Sequence, residues 1–185
     1  MKKNIKLPIV IIFAVLIALA TVSGALALPV EITPTNYLVK GTETGLPFIE
    51  DIIFPLMPGA VELYRATMGS PDEYALAGSY ETTWLPTGQK EYGFVDYVGG
   101  DYVAAPAYLL AKDGAAGWFF YDLTALGWTG TERISLGQLW PNQGEYSHIS
   151  IYGTKGTSVL IPEPGTMILL GLGLLGVGIV ARKRS

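Results

Sequence analysis

Tyr108-Leu109-Leu110-Ala111-Lys112-Asp113-Gly114-Ala115-Ala116-Gly117-Trp118-Phe119-Phe120-Tyr121-Asp122-Leu123 decides the fold. Two short runs rich in apolar and aromatic side chains flank an Asp-Gly break. Aromatic and β-branched residues suit a pleated, half-buried surface. Asp-Gly supplies turn geometry at little steric cost. The stretch therefore reads as two strands joined by a turn. The same grammar continues outward on both sides. Strands are predicted at Tyr37–Lys40, Val61–Met68, Ser79–Leu85, Tyr92–Val98, Ala107–Ala111, Trp118–Leu123, Arg133–Leu136 and His148–Tyr152. Breaks at Pro86-Thr87-Gly88 and Gly99-Gly100-Asp101 punctuate them. No stretch of the middle carries a convincing helical repeat, and the nearest approach is the mixed run Phe48–Met57, interrupted by Pro55. The expectation is an all-β domain: an antiparallel β-sandwich or jelly-roll of about eight strands.

The ends differ from this middle. The N-terminus opens Met1-Lys2-Lys3-Asn4-Ile5-Lys6, runs apolar from Leu7 to Ala20, and reaches Ser23-Gly24-Ala25-Leu26-Ala27. A basic segment, an apolar core and a small-x-small site make a signal peptide, 1–27, with signal peptidase reading Ala25 and Ala27 and cutting after Ala27. At the C-terminus, Pro162-Glu163-Pro164 precedes an apolar run from Met167 to Ala181, and Arg182-Lys183-Arg184-Ser185 closes the chain. Fifteen residues of helix rise only about 22 Å, against a hydrocarbon core of about 30 Å. Such a marginal transmembrane helix, drawn at 166–181, suits a transient stop. The basic tail holds its end in the cytoplasm and leaves the middle outside. Gly171-Leu172-Gly173-Leu174-Leu175-Gly176 matches a dinucleotide-binding pattern, but the chain ends nine residues later, before the acidic partner that the pattern needs.

These three C-terminal parts, in this order, resemble the PEP-CTERM sorting signal, a tail also labelled an ice-binding-protein C-terminal domain. The resemblance covers residues 162–185. It implies that Pro162, Glu163 and Pro164 are read by an exosortase, a membrane-embedded peptidase that removes the helix, and that Arg182, Lys183 and Arg184 fix orientation. It implies an exported protein, anchored in the membrane before processing and then held at the cell surface or in the exopolysaccharide matrix of a Gram-negative bacterium. The middle is similar to a recurring domain of small PEP-CTERM surface proteins over about Val61–Thr154, through stretches such as Ala77-Gly78-Ser79-Tyr80-Glu81-Thr82-Thr83-Trp84 and Leu126-Gly127-Trp128-Thr129-Gly130-Thr131-Glu132. That likeness names no reaction.

The exported middle, 28–161, holds six basic and fifteen acidic residues, a net charge of −9 hidden within the whole-chain −4. An acidic surface repels phosphate backbones, which excludes nucleic acid as a partner. The chain has no cysteine and one histidine, so disulfides, thiol nucleophiles and His/Cys metal sites fall away. His148 beside Ser147 lacks the nucleophile elbow and the assigned carboxylate of a hydrolase. No catalytic residue is assigned and no enzyme is expected. The acidic pairs Glu50-Asp51, Asp72-Glu73, Asp96 with Asp101 and Asp113 with Asp122 keep a carboxylate-based glycoside hydrolase open as a distant alternative. The Val95–Tyr102 loop offers oxygens for a structural calcium ion; no cofactor is otherwise expected. Twenty aromatic residues among these 134 keep a carbohydrate-binding module open, with Trp140 and Tyr146 as the rings that would stack on sugars. The threonines show no regular repeat, so ice binding does not extend to the middle.

Overall fold

The computed structural model describes residues 28–85, 92–140, 144–158 and Gly171. Contacts set Ala27–Ser158 apart as a compact unit. The predicted signal peptide, the sorting tripeptide and the basic tail lie outside the described residues. Of the predicted membrane segment, only Gly171 is described, and it is helical and exposed. Among the described residues no helix is long and apolar enough to cross a membrane.

The unit is mostly β. Its strands are β1 Val30–Ile32, β2 Val39–Gly41, β3 Val61–Thr67, β4 Tyr80–Trp84, β5 Gly93–Tyr97, β6 Tyr102–Asp113, β7 Trp118–Asp122, β8 Ile134–Leu136 and β9 Tyr146–Gly156. Helix α1 spans Leu46–Ile53, and a 3-10 turn follows at Phe54–Leu56. Five strands form one sheet in the order β2-β7-β6-β9-β3, and four form another in the order β1-β8-β5-β4.

Each of the eight predicted strands has a counterpart. Three features correct the expectation. The described strands number nine, because Val30–Ile32 adds one at an edge. That strand pairs parallel with β8, Val30 against Ile134 and Ile32 against Leu136, so the sheets are antiparallel except there. The run from Leu46 is helical, where no convincing helix was expected. Residues Ile49 and Ile53 stand four apart, one turn of helix, and both are fully buried.

The two sheets share one apolar core. Leu109, Ala111, Phe119, Tyr121, Ile149 and Ile151 point inward from the five-stranded sheet. They meet Ile32, Tyr80, Val95, Ile134 and Leu136 from the four-stranded one. The alternate positions of the same central strands, Tyr108, Leu110, Trp118, Phe120 and Tyr152, point the other way. There α1 and Met57 cover them. Central strands buried on both faces lose the polar alternation of a half-exposed sheet. This accounts for the unbroken apolar run Trp118-Phe119-Phe120-Tyr121.

Four buried tyrosines lace the sheets together through their hydroxyls. Tyr80 of β4 receives the Val103 backbone N–H of β6 at 2.8 Å and donates to the Gly130 carbonyl at 2.8 Å. Tyr121 of β7 donates to the Thr33 carbonyl beyond β1 at 3.0 Å. Tyr146 of β9 donates to the Gly137 carbonyl beyond β8 at 2.7 Å. Tyr64 of β3 donates to Asp72 at 2.7 Å and lies 2.7 Å from the Thr82 hydroxyl of β4. A ring fills core volume while its hydroxyl reaches a polar partner, so each tyrosine is both packing and tie. Burial pushes the pKa of all four phenols up.

Candidate functional site

Trp140 and Tyr146, the two rings assigned to sugar stacking, are core residues, 7% and 1% exposed. They meet edge to face at 5.3 Å. Trp140 also meets Phe119 at 5.6 Å, and Trp84 lies 5.6 Å from Tyr146. Their apolar faces are used within the protein, which corrects that assignment. Tyr146 opens strand β9, and both rings belong to the core between the two sheets.

His148 and Ser147 do come together, with the Ser147 hydroxyl 3.3 Å from His148 Nδ1. The serine proton points elsewhere, however: Ser147 donates to the Lys112 carbonyl at 3.1 Å. His148 sits on β9 between Thr67 of β3 and Lys112 of β6. Burial first, and then the positive charges of Arg65 and Lys112, lower its pKa to about 4. It is therefore neutral at pH 7. Its Nε2 is buried with no hydrogen-bond partner among the described residues.

Five of the carboxylates singled out in the sequence, Asp72, Asp96, Asp101, Asp113 and Asp122, are engaged locally. Asp96 forms a two-pronged pair with Arg133 at 2.6 and 2.9 Å, and that guanidinium lies over the Phe94 ring at 4.9 Å. Asp101 pairs with Lys155 at 2.8 Å. Asp113 caps its own turn, accepting from the Ala115 and Ala116 amides, and also accepts from the Glu145 amide at 2.7 Å. Asp122 accepts from Ala125 at 2.9 Å. Asp72 receives the Tyr64 hydroxyl, and burial raises its pKa. The Val95–Tyr102 loop thus has both its aspartates turned to cations. Among the described residues no group of three or more His, Cys, Asp or Glu stands close enough to hold a metal ion.

The outer face of the five-stranded sheet carries the features that sequence reasoning missed. One part is polar. Arg65 grips Glu62 with two bonds, at 2.8 and 2.9 Å, and donates to Ser150 at 3.2 Å. Its guanidinium lies 5.1 Å from the centre of the Tyr74 ring. Burial opposes the Arg65 charge, and Glu62 outweighs it, so the pKa is raised. The other part is apolar. Helix α1 turns Ile49 and Ile53 inward and leaves Phe48 and Ile52 exposed. Phe54, Leu56 and Val61 are exposed just beyond it. The signal was present as two interleaved pairs four residues apart, Phe48/Ile52 and Ile49/Ile53.

Fold and surface together define a chain made of a two-sheet β domain that continues, after Ser158, into a short distinct C-terminal segment. That segment is recognisable. The family model for the PEP-CTERM protein-sorting motif matches residues 160–184, so the chain carries the signal of an exosortase-sorted, exported protein. No curated protein and no solved structure matches the chain.

Proposed function

We propose that this is an exosortase substrate of the cell surface or the exopolysaccharide matrix. On this reading the domain is a non-catalytic β-sandwich, or jelly-roll, that signal peptidase and exosortase deliver to its site. The observation that carries it is the sorting motif at 160–184, which begins two residues after the described domain ends. The domain supports a structural or binding role: its largest rings are spent on the core, and the carboxylates described above are spent on turns and ion pairs. The membrane is a partner before processing, and the polysaccharide after it.

The test is the mass of the mature protein from a host with active exosortase, beside the same host lacking the peptidase. The expected product begins at Leu28 and lacks the residues beyond the Pro-Glu-Pro region, and replacing Pro162, Glu163 and Pro164 by alanine preserves the full tail. An intact C-terminus in the host with active peptidase would overturn the reading.

A further inference from the structure

Helix α1 is apolar on two faces, and only one is covered. Ile49 and Ile53 are fully buried against the sheet, whereas Phe48 and Ile52 stand 68% and 39% exposed. Phe54, Leu56 and Val61, the next large apolar side chains exposed along the chain, stand at 49%, 41% and 58%. An apolar patch of this kind marks a contact surface rather than a solvated face. Its place in the fold names the contact. Val61 pairs with Gly153 of β9, and Gly156, the last residue of β9, pairs with Tyr102. The patch thus runs toward the end of the sheet from which the chain leaves the domain. Met167, where the apolar C-terminal run starts, follows Gly156 by eleven residues, a reach of at most about 40 Å. Residues 41–61 contain Glu43, Glu50 and Asp51 and no lysine or arginine.

We infer that this ledge of Phe48, Ile52, Phe54, Leu56 and Val61 rests on the lipid bilayer while the C-terminal segment is still attached. The inference rests on the reading of that segment as a membrane-inserted sorting signal. The surface is a zwitterionic leaflet, because three acids and no base would be repelled by an anionic one. Five side chains give weak binding alone, and the short tether supplies the effective concentration that makes it count. Cutting the tether releases the domain.

The chain has no cysteine, so single introduced cysteines can carry an environment-sensitive dye. Full-length Ile52→Cys, Ala115→Cys and Leu174→Cys are reconstituted in phosphatidylcholine vesicles with brominated acyl chains. Residue 52 is on the ledge, exposed Ala115 is in the turn between β6 and β7, and residue 174 is in the apolar run. Dyes at 174 and 52 should be quenched several-fold more than the dye at 115. Adding Phe48→Glu and Leu56→Glu should release the dye at 52 without moving the urea midpoint. Quenching at 174 with equal, weak quenching at 52 and 115 overturns the inference and leaves the sorting reading standing. Absence of quenching at 174 overturns both. A dye at 52 that is shielded from water yet untouched by bromine assigns the ledge to a second copy or to the chain's own terminal segment, and likewise overturns it.

Discussion

Tyr80, Trp140 and His148 each bear on the domain's stability by a different route. Tyr80 bridges the sheets by accepting from Val103 and donating to Gly130. Tyr80→Phe keeps the ring and strands an amide and a carbonyl, each costing about 1–3 kcal/mol when buried without a partner. Urea denaturation should register a loss of about 2–6 kcal/mol for the two together. Trp140→Ala should cost about 3–5 kcal/mol, because it empties core volume between Phe119 and Tyr146. The same variant, if it folds, should keep whatever polysaccharide affinity the wild type has. A selective loss of binding at unchanged stability would restore the ring to a sugar site. His148 gives a pH signature. Its folded pKa of about 4 lies below the ordinary 6.5, so the unfolded chain binds the proton first. Stability is then complete above pH 6.5 and falls as pH drops from 6.5 to 4, by about 3 kcal/mol. Denaturation across that range should show the slope, and His148→Gln should flatten its share of it.

At the scale of elements, a tight constraint lies where β2 meets β7. Gly117 precedes β7 at φ +105°, and a Cβ there would press on the Gly41 carbonyl oxygen. Gly117→Ala should therefore part β2 from β7 and cost more than about 1 kcal/mol, with faster amide exchange at Lys40 and Gly41 as the local readout. The exposed pair of Arg133, just before β8, with Asp96 of β5 is the contrasting case: Arg133→Ala should leave the urea midpoint nearly unchanged, since solvent screens the pair. The strands were legible because residue type and turn chemistry are local. The turn Lys112-Asp113-Gly114 and the runs on either side of it needed nothing distant to be recognised. Helix α1 was obscured because Phe48, Ile49, Ile52 and Ile53 are all apolar. With only Glu50 and Asp51 on its polar side and eight residues in all, the helix shows its period for barely two turns. Edge strand β1 was missed because three residues carry too little pattern, and its partner β8 lies about a hundred residues away.

For the whole molecule, the compact unit Ala27–Ser158 holds its own core. A fragment spanning 28–158 should unfold cooperatively at the same urea midpoint as the full chain, with a strand-dominated circular dichroism spectrum. The sequence by itself determined the strand-rich class, the acidity of the middle and the sorting tail, because composition, short-range periodicity and a contiguous motif are properties of neighbouring residues. It did not determine which aromatic rings face solvent. Trp140 and Tyr146 share the residue types of any sugar-binding platform, and only the approach of the second sheet turned them inward. The tertiary structure alone also decided that Phe48, Ile52, Phe54, Leu56 and Val61 remain uncovered. Exposure depends on what packs over a side chain, and what packs there comes from distant parts of the chain.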